Sequence, residues 1–354
     1  MSPLIYLRIV GGFVAAGMLA TAVTRRRRRR IPFSDAAIQL LLGAALLAIS
    51  VAPGLADPFL RALGFKPGHD QRRIIGVLLV SGIVTYVLIL RAFARTDRVE
   101  SLLADYADRV ATRHFLWEYG DGQNAGAGRK LSIVLPALNE EATLPEVLRA
   151  IPPEVEGMPV EVIVVSDGSL DATEAVAKEH GALVVGRDLR RGQGAAVALG
   201  YQVALLRGAD IVATLDADGQ YDPAEIPQLV KPILVGDADV VHGSRVLGEY
   251  HHRLIGRAQG VKVFARLTSL MARSRITDPA SGFRAFSAHA LAQLTFRERQ
   301  FHASEVTIAA VKQGLRVQEV PCTFRERAAG ATKKPPLFQY GLGYARSLIR
   351  TWLG

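Results

Sequence analysis

Residues Ala209 to Pro223 read A-D-I-V-A-T-L-D-A-D-G-Q-Y-D-P, an apolar run that ends abruptly in two carboxylates. The run Ile211 to Leu215 has the composition of a buried strand. Side chains two positions apart on a strand point the same way, so Asp216 and Asp218 share its tip. Two like charges that close are costly unless a cation neutralises them, and Mg²⁺ typically binds one or two carboxylates together with substrate phosphates. The stretch predicts a cation–diphosphate site, with a polar turn as the alternative.

Length, charge and cysteine content narrow the class of protein. The chain has 354 residues, a mean hydropathy of +0.20 and a net charge of +10. That length is enough for about two domains. The basic balance favours anionic partners such as phosphates, nucleic acid or anionic lipid. With one cysteine, Cys322, the chain has neither an intrachain disulfide nor a Cys-based metal cluster.

Three apolar runs fill most of the first hundred residues, at 3–24, 36–55 and 74–92. Each is close to the ~20 residues that a helix needs to cross a bilayer. A buried helix or a signal peptide is the alternative for any one run, but the block Arg25–Arg30 follows the first run, whereas a signal peptide carries its charge in front. The pattern predicts an all-α transmembrane module over residues 1–94.

The arginines also predict an orientation. The block Arg25–Arg30 should stay in the cytoplasm, and Arg91, Arg95 and Arg98 agree with a cytoplasmic exit of the third run. We therefore expect a multi-pass protein of the inner (cell) membrane whose following domain faces the cytoplasm. The apolar flanks of the arginine block argue against nucleic acid as its partner.

Residues 95–129 connect this module to the next domain. The part from 95 to 115 has helical spacing, and its helix could lie along the membrane surface or against the next domain. Its apolar positions include Val99, Leu102, Leu103, Tyr106 and Val110. Gly120 to Gly128 has the composition of a flexible linker, which places the domain boundary before Lys130.

From Lys130 onward, short strand-like runs alternate with amphipathic segments, which predicts an α/β domain with a mostly parallel sheet over residues 130–327. The strand candidates are 131–135, 160–165, 183–185, 211–215 and 240–241. Ligands of such sheets bind at the carboxyl ends of the strands, so the strand tips should converge on one site.

Each candidate strand is followed by polar residues. They include Asn139 and Glu140, Ser166 and Asp167, Arg190 to Gly194, Asp216 and Asp218, and Ser244 and Arg245. Asp167 could accept hydrogen bonds from a ribose or a base, whereas Asn139 and Asp171 could be helix caps. The loop from Arg190 to Gly194 suits a phosphate, but Val197 stands where a dinucleotide fingerprint would need its third glycine.

Six motifs in a fixed order carry a family resemblance: P-A-L-N-E-E, S-D-G-S-L-D-A-T, R-G-Q-G-A-A, D-A-D-G-Q-Y-D-P, G-S-R and D-P-A-S-G-F-R. Together they resemble family 2 glycosyltransferases, and within that family the dolichyl- and polyprenyl-phosphate glycosyltransferases, over roughly residues 130–327. The resemblance implies a GT-A fold, a nucleotide-sugar donor (GDP-mannose or a UDP-hexose), Mg²⁺ or Mn²⁺, and single displacement with inversion. It implies a polyprenyl phosphate, dolichyl or undecaprenyl, as the acceptor.

The resemblance also implies roles for individual residues. The catalytic pair would be Asp218 and Arg245, and the metal ligands Asp216, Asp218 and Gln220. The nucleotide-sugar would be bound by Pro136, Asn139, Glu140, Asp167, Gln193, Asp216 and Ala217. The acceptor phosphate would be bound by Arg245, Arg253, Arg257, Ser281 and Arg284. Glu305 lies in the segment S-E-V-T-I-A-A, which is similar to a glutamate-containing helix of the family. The family usually carries an aspartate where this chain has Ser166, which leaves the nucleotide base open.

An acceptor phosphate agrees with these residue types. A phosphate monoester has a second pKa near ~6, so it is already anionic at neutral pH and needs positioning more than deprotonation. Arginines supply that positioning. For Arg253 and Arg257, a solvated basic face remains the alternative.

The last predicted segment, 328–354, is basic, aromatic and amphipathic. Lys333 and Lys334 precede Leu337, Phe338, Tyr340, Tyr344, Leu348, Ile349, Trp352 and Leu353. This pattern is typical of a helix at a membrane interface, with a helix packed on the catalytic domain as the alternative.

Two rival functions are less favoured. A processive polysaccharide synthase would resemble its relatives in a Q-x-x-R-W string, which does not occur here. An inactive membrane scaffold would not need the intact D-A-D. The expected partners are the donor, the lipid acceptor and the membrane, with no nucleic acid, and the oligomeric state is left open, a homo-oligomer included.

Overall fold

The computed structural model describes residues 3–27, 33–62, 70–122, 128–249, 265–266, 268–270, 275–296, 302–326 and 351. The chain divides into two compact units, Met1–Val99 and Glu100–Gly354. The domain boundaries that the sequence suggested, at residues 94, 129 and 327, stay predictions beside this division.

The first unit is helical wherever it is described in regular structure. It contains α1 (Pro3–Arg27), α2 (Phe33–Val51), a short 3-10 turn (Pro53–Ala56), α3 (Asp57–Ala62) and the start of α4 (Asp70–Tyr119). Helices α1 and α2 pack closely together, because a Cβ added at Gly43 of α2 would lie 3.0 Å from the Leu19 side chain of α1.

The helices bear on the three predicted membrane spans. The runs 3–24 and 36–55 fall mainly in α1 and α2, and the run 74–92 falls inside α4, which continues through charged residues to Tyr119. Within the described ranges, no helix combines the length and the apolar composition needed to cross a membrane. The structure therefore does not support the transmembrane module.

The second unit begins with the last turns of α4. These turns bury Ala111, Thr112 and Phe115, and Ala111 and Phe115 belong to the hydrophobic core beside the sheet. The sequence left two positions open for this helix, along the membrane surface or against the next domain. The C-terminal end of the helix packs against the next domain. The apolar side chains on which the helix was predicted remain exposed, namely Val99, Leu102, Leu103, Tyr106 and Val110.

An eight-stranded sheet forms the centre of the second unit. Its strands are β1 (Leu131–Ala137), β2 (Glu154–Val155), β3 (Met158–Asp167), β4 (Leu183–Arg187), β5 (Ile211–Thr214), β6 (Val240–Ser244), β7 (Arg284–Ser287) and β8 (Val317–Pro321). The five strands expected from the sequence are confirmed as β1, β3, β4, β5 and β6. Strands β2, β7 and β8 were not foreseen.

The order of the strands across the sheet is β4-β3-β1-β5-β7-β6-β8, with β2 forming a hairpin on β3. Strands β4, β3, β1 and β5 are parallel, β7 is antiparallel to both its neighbours, and β8 is parallel to β6. The expected parallel arrangement is correct for β4, β3, β1 and β5 and for β6 with β8, but the sheet as a whole is mixed, because β2 and β7 run antiparallel to their neighbours. All the tips that carry polar motifs lie at one edge.

Helices cover both faces of the sheet. They are α5 (Leu144–Ala150), α6 (Thr173–Glu179), α7 (Gln193–Leu206), α8 (Ile226–Leu234), α9 (Ala288–Gln293) and α10 (His302–Lys312). Alternate residues of β1 point to opposite faces. Leu131, Ile133 and Leu135 join the core with α5, α6 and α8, whereas Val134 joins the core with α7 and the end of α4.

Helix α7 lies unusually close to the sheet at Gly200. A Cβ added there would lie 2.9 Å from Val165 Cγ2 and would also collide with Val134. Only a glycine permits this approach, which brings the first turn of α7, and with it Gln193, close to the carboxyl end of β5.

Candidate active site

The two carboxylates of D-A-D lie directly after β5. Thr214 ends that strand and fixes its tip by donating from Oγ1 to the carbonyl oxygen of Val134, at 2.9 Å. Asp216 is half-buried, Asp218 is 5% exposed, and Gly219 turns the chain with φ +72°. The predicted pair therefore stands at the strand tip, where the charge of any cation could meet both carboxylates.

Two other loops meet Asp216. Gln193 Nε2, from the start of α7, donates to Asp216 Oδ1 at 2.5 Å. Gly282, in the S-G-F-R segment, approaches so closely that an added Cβ would lie 3.2 Å from both carboxylate oxygens. The predicted donor side and the predicted acceptor side therefore converge on one carboxylate.

The donor atoms fit a hard divalent cation. Carboxylate oxygens are the ligands of Mg²⁺ and Mn²⁺. Among the described residues, no group of three or more His, Cys, Asp and Glu gathers as a metal cage. Gln220 Nε2 donates to the carbonyl oxygen of Arg325 at 3.2 Å, which makes its amide oxygen the end that could join Asp216 and Asp218.

The first strand tip is joined to the second by hydrogen bonds. Asn139, with φ +51°, accepts from the backbone amide of Leu170 at 2.8 Å and donates its own amide to Ser169 Oγ at 3.1 Å. Asn139 is therefore not the cap of α5, which begins five residues later. Asp171 does bond to the start of α6, because it accepts from the amide of Thr173 at 3.1 Å.

Thr143 belongs to the candidate site, although sequence analysis did not single it out. Its Oγ1 lies 3.0 Å from Glu140 Oε2 and 3.0 Å from the carbonyl oxygen of Ala217. One hydroxyl proton is shared between these acceptors, so the predicted donor residues Glu140 and Ala217 are tied together. Pro136 lies one step back, inside β1.

The second strand tip is buried and already engaged. Asp167 is 3% exposed and accepts from Arg187 Nη2 at 2.5 Å, from the amide of Arg191 at 2.9 Å and from the amide of Gly192 at 2.6 Å. Its predicted contact with the nucleotide stays a prediction. Ser166 is fully buried, and its hydroxyl has no hydrogen-bond partner within the described part of the chain.

The β4–α7 loop, residues 188–192, differs from the simple phosphate loop that its arginines suggested. Its amides at Arg191 and Gly192 point at Asp167, and the Arg191 side chain turns to Asp108 of α4. Gly192 has φ +98°, a conformation that glycine adopts without strain. These amides and this side chain therefore bond carboxylates of the protein, and the predicted contact of the loop with a phosphate stays a prediction.

The acceptor side is built on a buried ion pair. Arg245 follows β6 and donates from Nε and Nη2 to Asp278, at 2.6 and 2.7 Å. Asp278 is fully buried, and the Arg245 guanidinium also lies over the ring of Phe324, 5.0 Å from its centroid. Such a bidentate pair fixes the direction of the arginine. Asp278 opens the D-P-A-S-G-F-R motif, but its pairing with Arg245 was not predicted.

Two further predicted acceptor residues, Ser281 and Arg284, lie in the D-P-A-S-G-F-R segment and make hydrogen bonds that hold it. Ser281 Oγ lies 3.3 Å from the Tyr221 hydroxyl. Arg284 is 2% exposed and donates to the carbonyl oxygens of Ser281, Pro279 and Ala303. The structure thus places both beneath the loop that touches Asp216, and their contact with an acceptor phosphate stays a prediction.

Some predicted residues cannot be placed. Arg253 and Arg257 lie outside the described residues, as does the C-terminal segment 328–354 apart from Thr351. Glu305 is described and lies buried on α10.

The region that carries these strand-tip residues resembles known proteins. The profile of the family described as glycosyl transferase family 2 matches residues 132–295. A dolichyl-phosphate hexose transferase of Haloferax volcanii is 32% identical over 225 residues, which are 63% of this chain and 94% of that protein. A UDP-N-acetylglucosamine–dolichyl-phosphate N-acetylglucosaminyltransferase of Methanococcus voltae is 30% identical over 217 residues, 55% of this chain and 85% of that protein.

This chain also resembles a solved structure. Glucosyl-3-phosphoglycerate synthase of Mycobacterium tuberculosis, in complex with Mn²⁺, UDP and glucosyl-3-phosphoglycerate, is 31% identical with a TM-score of 0.51. The match covers 64% of this chain and 79% of the synthase. The chain belongs to the family 2 glycosyltransferases, its second unit has a GT-A-like α/β fold, and it acts as a glycosyltransferase.

His242, on β6, gives this unit a pH dependence. Its ring is fully buried, and neither ring nitrogen has a hydrogen-bond partner within the described ranges. Burial, and then the charge of Arg284, hold the pKa of His242 well below its usual value of 6.5. The folded protein therefore keeps His242 neutral at a pH where the unfolded chain binds a proton.

We expect the free energy of unfolding to fall as the pH drops from 7 to 5, because the unfolded state then binds more protons than the folded state. Above about 6.5, the pKa of a histidine in the unfolded chain, neutral His242 costs no stability. Below that pH, the free energy of unfolding falls because only the unfolded chain gains the proton. In His242→Gln this slope should be shallower, as measured by urea denaturation at several pH values. His180→Gln, at an exposed histidine, is the matched control. Equal slopes in wild type and His242→Gln would contradict the assignment.

Proposed function

We propose that the protein transfers a hexose from a nucleoside-diphosphate sugar to a polyprenyl phosphate, with Mg²⁺ or Mn²⁺ bound at Asp216 and Asp218. The observation that carries the proposal is the meeting of Gln193, Gly282 and Asp216 at the tip of β5. The two relatives named for dolichyl phosphate support the choice of acceptor. The product would serve the assembly of cell-envelope glycans or glycoproteins.

On the donor side, the residues hold the diphosphate that becomes the leaving group. A cation bound there would neutralise the charge that develops on the diphosphate as the bond to the sugar breaks. Asp216 and Asp218 would supply its carboxylate ligands, and Gln220 would stand beside them. Gln193 donates a hydrogen bond to one oxygen of Asp216, which would hold the carboxylate in a single orientation towards the cation.

On the acceptor side, an oxygen of the lipid phosphate attacks the anomeric carbon. The carbon–oxygen bond to the donor diphosphate breaks as the new one forms, and the configuration at that carbon inverts. Since the phosphate is already anionic at neutral pH, no side chain has to remove a proton. Arg245, held by Asp278 and Phe324, would position the phosphate and balance its charge.

A small phosphorylated acceptor is the second candidate. It is favoured by the structural likeness to glucosyl-3-phosphoglycerate synthase, whose complex contains the glucosylated acid. The donor side would be the same in both cases, so the two candidates differ only in what Arg245 and the D-P-A-S-G-F-R loop receive.

A donor and acceptor panel separates these candidates. We expect the purified full chain with Mn²⁺ to transfer labelled sugar from one UDP- or GDP-sugar to undecaprenyl phosphate, giving a label that extracts into organic solvent. Transfer to 3-phosphoglycerate instead would leave the label in water and establish the second candidate. Label in neither product, with every donor tested, would refute the proposed acceptor class.

The metal assignment makes a separate prediction. Asp216→Asn and Asp218→Asn should each lower transfer on the order of 100-fold or more, because they remove charge from the site of the leaving group. Asp237→Asn changes the same charge at an exposed position of the same unit and should retain activity. Initial rates across a Mn²⁺ titration measure the effect. Wild-type rates in both variants would show that the cation binds elsewhere.

A lipid acceptor bears on where the protein works. We propose that the first unit holds the protein in the inner membrane with the second unit in the cytoplasm. Large exposed apolar side chains support this, among them Phe13 on α1, Leu41 on α2 and Tyr86 on α4. The block Arg25–Arg30 supports the cytoplasmic side.

We expect the chain to stay in the membrane fraction after an alkaline carbonate wash, since apolar attachment resists the loss of ionic contacts. Protease added to inside-out vesicles should cleave the second unit, and protease added to right-side-out vesicles should not. Release by carbonate, or cleavage from the opposite side, would contradict the location.

A further inference from the structure

Asp108, near the end of α4, reaches two arginines that belong to the donor side of the site. Its Oδ1 accepts from Arg187 Nη1 at 3.0 Å, and its Oδ2 accepts from Arg191 Nη1. Arg191 Nη1 also donates to the carbonyl oxygen of Ala104, one turn earlier on the same helix, at 2.9 Å. The helix that precedes the family 2 domain thus holds both ends of the β4–α7 loop.

The contact continues to Asp167. Arg187 donates to Asp108 through Nη1 and to Asp167 through Nη2, so one guanidinium bridges two carboxylates. Asp167 in turn accepts the amides of Arg191 and Gly192. Helix α4 therefore holds the β4–α7 loop through the Arg191 side chain, and β3 holds it through the backbone amides of Arg191 and Gly192.

The next residue after the loop is Gln193, which touches Asp216. Its Nε2 donates to Asp216 Oδ1 at 2.5 Å. Since Gly192 precedes it directly, any shift of the β4–α7 loop moves the first turn of α7 and displaces that amide from the carboxylate. Asp108 can thus influence the cation site without touching it.

Asp108 completes the balance of charges around the β4–α7 loop. Asp108 and Asp167 together match Arg187 and Arg191, and the Arg187 side chain is only 1% exposed. Without Asp108, buried Arg187 would keep only Asp167, and Arg191 would lose its carboxylate partner, a strongly unfavourable loss for a largely buried charge. The helix itself is held independently, by buried Phe115 and by Arg207, which donates to the carbonyl oxygens of Tyr119 and Gly120.

We propose that Asp108 is a positioning residue for the donor: through Arg187, Arg191 and the β4–α7 loop it sets Gln193 against Asp216. The inference rests on the proposed function for the identity of the ligand at Asp216. The part that concerns the loop does not depend on any substrate.

The loop is tested first, in the full chain without ligand. In Asp108→Asn, the amides of Arg191 and Gly192 should exchange with deuterium on the order of tenfold faster or more, because the Arg191 side chain loses its ion pair with α4 and Arg187 is held by Asp167 alone. Mass spectrometry of peptides covering 188–193 measures this. Asp105→Asn removes the same charge from an exposed position of the same helix and should leave the exchange unchanged. Equal protection in wild type and Asp108→Asn would overturn the proposal.

Donor binding is tested second. In Asp108→Asn, the KM for the sugar nucleotide should rise on the order of tenfold, with kcat changed much less, because the loss falls on a contact that orients the donor site. Asp108→Glu keeps the carboxylate and should recover part of the affinity. A residue that only stabilises the fold would lower the thermal midpoint and the yield of active protein while leaving KM unchanged, and that result would overturn the proposal.

Arg191→Gln provides a second route if Asp108→Asn does not fold. It breaks the same contact from a partly exposed side chain, so it should show the same faster exchange and the same rise in KM. In the double variant the effects should not add, since both changes remove one interaction. Failure of lipid transfer in the wild type would refute the proposed acceptor, but the exchange result would still decide the role of Asp108.

Discussion

Asp167 lies almost fully buried at the end of β3, and a carboxylate in that position must be matched by donors. Arg187 and the amides of Arg191 and Gly192 supply them. This carboxylate therefore holds the backbone of the β4–α7 loop directly before the start of α7. The position of Gln193 against Asp216 follows from it, so the donor side is built outward from a polar group inside the protein.

The acceptor side repeats the same solution with different residues. Asp278 is buried and accepts hydrogen bonds from Arg245. The backbone amide of Asp278 in turn donates to the Glu319 carboxylate of β8 at 2.9 Å. On both sides, an arginine near the strand tips is oriented by a carboxylate behind it. Such pairs contribute orientation more reliably than stability. Asp216 lies where the two systems meet, which is where a reaction between a diphosphate and a phosphate would need fixed charges.

The sequence predicted the strands and tips that local patterns describe, and it missed contacts between distant residues. Five apolar runs identified β1, β3, β4, β5 and β6, but β7 is only R-A-F-S and carries buried Arg284. Asp108 meets its arginines from 79 and 83 residues away. A weak signal existed, since Asp108, Thr112 and Phe115 share one helix face. The predicted spans rested on apolar runs and on the arginines that flank them, which do not reveal how far a helix such as α4 continues.

The contact between Gln220 and Arg325 has a consequence for biosynthesis. These residues are 105 positions apart, and Tyr221 also pairs with Phe324 across the same short bridge. One wall of the D-A-D loop is therefore supplied by the segment that follows β8. While the chain is being translated, the loop emerges well before that wall exists. These contacts can form only after residue 325 has left the ribosome, so a nascent chain that lacks this segment has the sheet's central strands but a D-A-D loop without this wall.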